Sequence, residues 1–145
     1  MNDNKKNFNI FAKKLLFISF LIAIDQIVKY KIRQNGGFYI CNSGISFSIP
    51  MVSLFFWIFF GFFLLLSAYY YKKLLKSPSY NKIKISLLTL LMAGAISNST
   101  DRLLLGCITD FIHIKKTIFP IFNIADIYIF IGSFLFLTML FTKKE

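Results

Sequence analysis

The sequence predicts an all-α integral membrane protein: four transmembrane helices, with a small extramembrane β-hairpin or half-barrel between helices 1 and 2. Three observations carry this. Hydrophobic residues make up 57% of the chain and charged residues only 16%, against roughly 25% charged in a soluble globular protein. The basic residues behind the net charge of +11 sit in clusters that punctuate apolar runs, which is a topological signal. A nucleic-acid partner would need them gathered on one face, and none is expected. Finally, polar groups collect where apolar segments end. The stretch from Gly94 to Asp126 holds three of the six acidic residues (Asp101, Asp110, Asp126), together with Asn98, Asn123 and the single histidine, His113. An acid at mid-bilayer costs roughly 2.5–3.5 kcal/mol on insertion scales, so three beside two spans imply a purpose. Residues 1–145 are read as one membrane-embedded domain.

The chain opens on a polar, basic lead-in that stops at Lys14. It resembles the start of a secretory signal peptide, yet Asp25 and Lys29 follow the apolar stretch where a small-residue cleavage site would be needed, so a retained first helix is expected over about Phe11–Tyr30. Its uninterrupted apolar core is only Leu15–Ile24. Spanning ~30 Å at 1.5 Å per residue therefore requires Lys13 and Lys14 to snorkel at one end and Asp25 and Lys29 to sit near the other. Asp25 and Lys29 are four apart on one helical face, a spacing that permits an ion pair anchoring the helix at the interface.

Residues 31–50 cannot form a continuous helix because of Gly36, Gly37, Gly44 and Pro50. Phe38–Cys41 and Ile45–Ile49 are strand-like, with Asn42-Ser43-Gly44 as the turn between them. No charge occurs from Gln34 to Tyr71, and the second span, about Met51–Tyr71, is the clearest in the chain. Five lysines and no acid then occupy residues 72–84, which marks that loop as cytoplasmic. The third span is expected over about Ile85–Leu104 and the fourth over about Phe122–Phe141. With both termini and the 72–84 loop inside, 11 basic residues lie inside and 6 outside. Asp25, Asn42, Asn98, Asp101, Asp110, Asn123 and Asp126 then converge on the outer face. Cys41 and Cys107 share that face without metal-like spacing; a disulfide is conceivable, and two buried free thiols are the favoured reading.

Asn123 is placed like an N-cap three residues before Asp126, while Asn98 and Asp101 end the third span and Asp110 lies in the connector. Carboxylates from adjacent elements can thus meet at the membrane surface. Two that share a site cannot both ionise cheaply, so one activates a water while the other protonates an amide leaving group. No cluster has metal-ligand spacing and no serine lies in a G-x-S-x-G turn, so neither metal nor organic cofactor is expected. His113, beside Lys115 and Lys116, reads as a loop residue. Spacing alone leaves open which acid partners Asp126. Asp101 adjoins Arg102, which disfavours a shared proton; Asp110, between Thr109 and Phe111, has the more apolar surroundings and is the better candidate.

These residues carry a resemblance. Asp25-Gln26-x-x-Lys29, Asn42-x-Gly44-x-x-Phe47, Gly94-x-x-x-Asn98-x-x-Asp101-Arg102, Asp110-Phe111 and Phe122-Asn123-x-Ala125-Asp126 look like the motifs of the lipoprotein signal peptidase (signal peptidase II) family, in the family's order. The match runs from residue 25 to 126. It implies a bacterial inner-membrane aspartyl endopeptidase that removes the signal peptide from a diacylglyceryl-modified prolipoprotein, cutting just before the lipidated cysteine. By the resemblance, Asp110 and Asp126 form the catalytic dyad; Asn42, in its turn with Gly44, and Arg102 hold the substrate backbone. Asn98 and Asn123 orient the dyad, and Asp25, Lys29 and Asp101 are structural. The connector between the two acids is short and basic here, where family members often carry a longer aromatic segment.

A substrate held by its own signal helix and acyl chains needs only lateral entry between helices and a polar site at one leaflet. The expected partners are accordingly diacylated prolipoproteins and membrane lipid, with the protein acting as a monomer. The alternatives are a small proton-coupled exporter and a non-catalytic scaffold for lipidated peptides. An exporter would place its acids near mid-bilayer rather than at one face.

Overall fold

The molecule is polar inside and apolar outside. Among the described residues, seven of the eight largest fully buried side chains (Lys29, Asn123, Thr89, Thr109, Asp25, Asp101 and Ser97) are polar and only Ile85 is not, whereas Phe, Leu and Ile side chains stand exposed along every helix. Water would penalise such an exterior; hydrocarbon does not, and it confines ionisable groups to the interior. In the computed structural model, which describes residues 2–44, 53–76, 82–115 and 119–141, four helices and two short strands follow the order α1 (Asn2–Gln34), β1 (Ile40–Asn42), α2 (Ser53–Lys76), α3 (Lys82–Leu105), β2 (Ile108–Asp110) and α4 (Ile124–Phe141). Among the described residues, α2 and α3 are long and apolar enough to cross a membrane, and Ile124–Met139 of α4 is a shorter apolar helix.

The first helix is longer than the sequence suggested. It runs 33 residues, about 50 Å at 1.5 Å per residue, well beyond one bilayer core. Its Asp25–Lys29 pair is buried within the protein. Both side chains are 0% exposed and face α3, so one face of α1 is polar at its C-terminal half, and Leu15–Ile24 is its longest uncharged run.

α3 is the central helix, and glycines set its closeness to α4. A Cβ on Gly94 would run into the carbonyl of Ala125 and lie 2.8 Å from Cγ1 of Ile129, and one on Gly132 would lie 2.7 Å from the backbone nitrogen of Leu91. Each helix thus receives the other's backbone at one glycine, as small residues allow between membrane helices. α2 packs less: Tyr70, Tyr71 and Leu74 join a small cluster with Leu87, Leu88 and Phe136, while Leu54, Phe55, Ile58, Phe62 and Leu65 point outward.

The strands depart from expectation. β1 pairs antiparallel with β2, from beyond α3, in the register Ile40↔Asp110, Cys41↔Thr109 and Asn42↔Ile108; the segment Ile45–Ile49, expected to be its hairpin partner, lies outside the described residues. An Ile112–Phe122 bridge continues the connection towards α4. The cysteines are not free thiols: Cys41 and Cys107 are joined as a disulfide, with Cα atoms 5.4 Å apart. Sequence spacing could not find that pairing, because the β1–β2 ladder, joining segments 66 residues apart, is what brings the two together.

Candidate active site

Ten polar residues or turn positions singled out by sequence meet around one end of α3. Asp25 and Lys29 come from α1, Asn42 from β1, Gly44 from the turn after it, Asn98, Asp101 and Arg102 from the last turns of α3, and Asp110 from β2; Asn123 and Asp126 come from the start of α4. They divide into a buried ionic cluster and a cavity that two carboxylates line.

In the cluster, Lys29 Nζ lies 2.7 Å from Asp25 Oδ2 and 3.0 Å from Asp101 Oδ2, and it donates to Asn98 Oδ1 at 2.9 Å. Three donors meet three acceptors, so the ammonium is fully satisfied. Asp25 also accepts from Ser97 Oγ at 2.7 Å and from the backbone N–H of Ala125 at 3.0 Å, tying α1 to both α3 and α4. Asp101 accepts from Gln26 Nε2 at 2.9 Å and from the Thr109 N–H at 3.1 Å. It faces the cluster and does not line the cavity.

The cavity, ≈ 730 Å³, lies between α2, α3, α4 and the sheet, with Asn42, Asn98, Arg102, Asp110 and Asp126 on its polar side and Phe56, Phe59, Phe60, Phe63, Ile129 and Phe130 on its apolar side. Three asparagines deliver amides to its carboxylates by one logic. Asn98 has its oxygen held by Lys29 and donates Nδ2 to Asp126 Oδ1 at 2.8 Å. Asn42 has its oxygen held by the Gly44 N–H at 3.1 Å and donates Nδ2 to Asp110 Oδ2 at 2.9 Å, which explains the N-x-G spacing as an Asx-type turn. Asn123 accepts from the Asp126 N–H at 2.9 Å and donates Nδ2 to Asp110 Oδ1 at 2.6 Å. With its oxygen occupied, each amide can present only its NH2 to the acid.

Asn123 and Asp126 also form a reciprocal cap on α4. Asp126 Oδ2 accepts from the Asn123 N–H at 3.0 Å while Asn123 receives the Asp126 N–H, so the pairing that starts the helix also links the two acids through one side chain. Burial pushes the Asp110 carboxyl above the ordinary range; the Asn42 and Asn123 hydrogen bonds oppose this, and nearby Asp126 adds to it. Arg102 donates to the Gly44 carbonyl and lies over the Phe56 ring, 4.2 Å from its centroid, a stacked geometry suited to guanidinium.

The sequence reading placed Asn42 on the substrate backbone; in the structure its amide is engaged by Asp110. His113 is exposed, 6.3 Å from the Phe38 ring, and takes no part. Four contributors were given no role by the sequence, although Gln26 stands in the Asp25-Gln26-x-x-Lys29 motif. Gln26 and Ser97 hydrogen-bond within the ionic cluster, and helical spacing held the signal, since Gln26 precedes Lys29 by three and Ser97 precedes Asp101 by four. Arg33, one turn after Lys29, donates to Thr109 Oγ1 at 2.8 Å. Phe56 carried no signal, because nothing in an all-apolar helix marks the one ring that meets Arg102.

Fold and cavity together define a helical membrane protein built around a carboxylate-lined cavity. Two bacterial membrane enzymes solved by the in meso method are similar across its length: one, at 2.3 Å resolution, with TM-score 0.80 and 30% identity over 92% of this chain and 93% of that one, the other, at 1.9 Å, with TM-score 0.66 and 27% identity over 92% and 95%. The family model for signal peptidase (SPase) II matches residues 17–142, and the chain belongs to that family. Lipoprotein signal peptidases of Blochmanniella pennsylvanica and Streptococcus pyogenes serotype M1 are 32% and 31% identical, covering 90% and 92% of this chain and 88% and 97% of their own lengths. The lipoprotein signal peptidase of Pseudoalteromonas translucida is 43% identical over a shorter stretch, 47% of this chain and 42% of its own.

Proposed function

We propose that the protein is a membrane aspartyl endopeptidase that removes the signal peptide from diacylglyceryl-modified bacterial prolipoproteins, cutting before the lipidated cysteine. The observation that carries this is the pairing of Asp110 and Asp126 through Asn123 at one cavity, half polar and half aromatic. Two carboxylates that share a site divide the work of acid and base. In this reading Asp110 holds the proton and Asp126 takes one from a water, whose oxygen attacks the scissile carbonyl. The Asp110 proton passes to the leaving nitrogen as the C–N bond breaks, releasing the signal peptide's carboxyl end and the free amino group of the cysteine. Family membership and the lipoprotein signal peptidase relatives support the substrate class.

Arg102 offers its planar fork to a substrate carbonyl from the cavity rim. The Phe56, Phe60, Phe63 and Phe130 wall suits the acyl chains and signal helix, which reach it laterally between α2 and α4. Four spans, 11–30, 51–71, 85–104 and 122–141, in the inner membrane with both termini cytoplasmic, put this cavity near the outer leaflet. The chain works as a monomer, without metal or cofactor. The purified protein in detergent should convert a diacylated prolipoprotein to its mature size, and leave the unlipidated precursor uncut. Equal cleavage of both, or of neither, overturns the assignment.

A further inference from the structure

The Asn42–Asp110 hydrogen bond depends on a very short ladder. β1 and β2 are three residues each, and a two-stranded ribbon of that length is marginal by itself. Its register matters because side chains alternate between faces. Asn42 opposes Ile108 and Asp110 opposes Ile40, so Asn42 and Asp110 sit diagonally on one face, where the amide reaches the carboxylate at 2.9 Å. Cys41 opposes Thr109, and Cys107 lies two residues before Thr109, so the disulfide crosses the same ribbon diagonally on the other face. A one-residue slip would turn Asn42 away from Asp110. The disulfide forbids that slip.

We propose that the Cys41–Cys107 disulfide is a positioning device for catalysis: it locks the β1–β2 register that delivers the Asn42 amide to Asp110. The inference rests on the peptidase reading above and adds thiol redox state as a control on its rate. Cys41 is exposed and Cys107 is 7% exposed, so a dithiol reductant attacks Cys41 first. Its thiolate forms a mixed disulfide with Cys41 and expels the Cys107 thiolate; the reductant's second thiol then releases Cys41. The S–S bond is cleaved by two electrons from the reductant, both cysteines end as thiols, and the reductant ends as a cyclic disulfide. Losing the Asn42 hydrogen bond also moves the Asp110 carboxyl further upward, since that bond opposes the effect of burial.

The test compares four proteins in one detergent on a diacylated prolipoprotein: the oxidised parent, C41S/C107S, Asn42→Ala, and all three changes together, with kcat, KM and the pH profile for each and thermal unfolding alongside. The parent is also assayed after dithiothreitol and after reoxidation, with thiols counted by mass. The expected result is a fall in kcat of about tenfold on reduction, reversed by reoxidation, with KM changed less than about twofold and the alkaline limb moved to higher pH. That size corresponds to loss of one hydrogen bond of ~1.4 kcal/mol. C41S/C107S and Asn42→Ala should behave alike, and the triple variant no worse than Asn42→Ala. Reduced enzyme that cuts like the parent overturns the proposal, as does a triple variant that loses the product of the two effects. Unfolding on reduction at the assay temperature also overturns it, by making the disulfide a general staple. An oxidised parent that fails to cut removes the peptidase reading itself, a separate outcome.

Discussion

Asp110 binds its proton more tightly in the folded protein than in the unfolded chain, because burial outweighs the amides of Asn42 and Asn123. Its contribution to stability is therefore complete below the ordinary carboxyl pKa of about 4 and is lost as pH rises through the raised value. Asp110→Asn should gain on the parent in thermal stability as pH climbs from about 4 towards 8; a difference that stays flat with pH, or runs the other way, would refute this. In the same variant, and in Asp126→Asn, cleavage should drop below about a thousandth of the parent rate with the fold intact, since an amide cannot take up a proton. Retained turnover in either variant would dismiss the dyad. Lys29 tests the ionic cluster separately. Lys29→Met leaves the carboxylates of Asp25 and Asp101 without their cation and should lower stability in detergent by about 3–5 kcal/mol; a variant that melts with the parent would make the cluster ornamental. The sequence made the acids visible because charge is rare in apolar segments. It could not show that Asp101 turns towards Lys29 and Asp110 towards the cavity, since neighbouring residue types do not reveal which way a helix end and a strand face.

α3 and α4 are where local preference and packing disagree, and the disagreement can be measured. Gly132→Ala should gain about 1 kcal/mol of helix propensity, yet its methyl would lie 2.7 Å from Leu91 N and 2.9 Å from Leu87 O, backbone atoms that cannot swing aside. Overpacking of this kind costs about 1–3 kcal/mol. The variant should thus melt below the parent, and one that melts above it would show that the helices separate freely. The helices themselves were readable from apolar run length and breaker residues, within a few residues at most ends. α1 was the exception, because its polar N-terminal turns carry no breaker and the helix continues through them. Strand pairing was less legible. Phe38–Cys41 read as a strand, but its partner was sought nearby, whereas β2 lies beyond two helices and becomes adjacent only once α3 has brought Cys107 back. Local sequence encodes the tendency to extend, not the address of the neighbour.

For the whole molecule, the disulfide bears on orientation in the membrane. Disulfides persist on the oxidising side of a membrane, the side to which the lysine census also assigns the sheet. With both native cysteines paired, an added one is the sole free thiol: on intact cells an impermeant maleimide should label Asn35→Cys and spare Ser77→Cys. The reverse pattern would put the cavity in the cytoplasm. The buried cluster has one more consequence, for biosynthesis. The chain is made from its N-terminus, so on the proposed four-span topology α1 enters the bilayer when Asn98, the acceptor that Lys29 will use in α3, is still 69 residues away. Asp25 and Lys29, four apart, let the newborn helix cancel its own charge while it waits. Asp25→Asn should then impair not the finished enzyme first but the insertion of its opening helix, visible as nascent chains that are degraded before α3 has been synthesised.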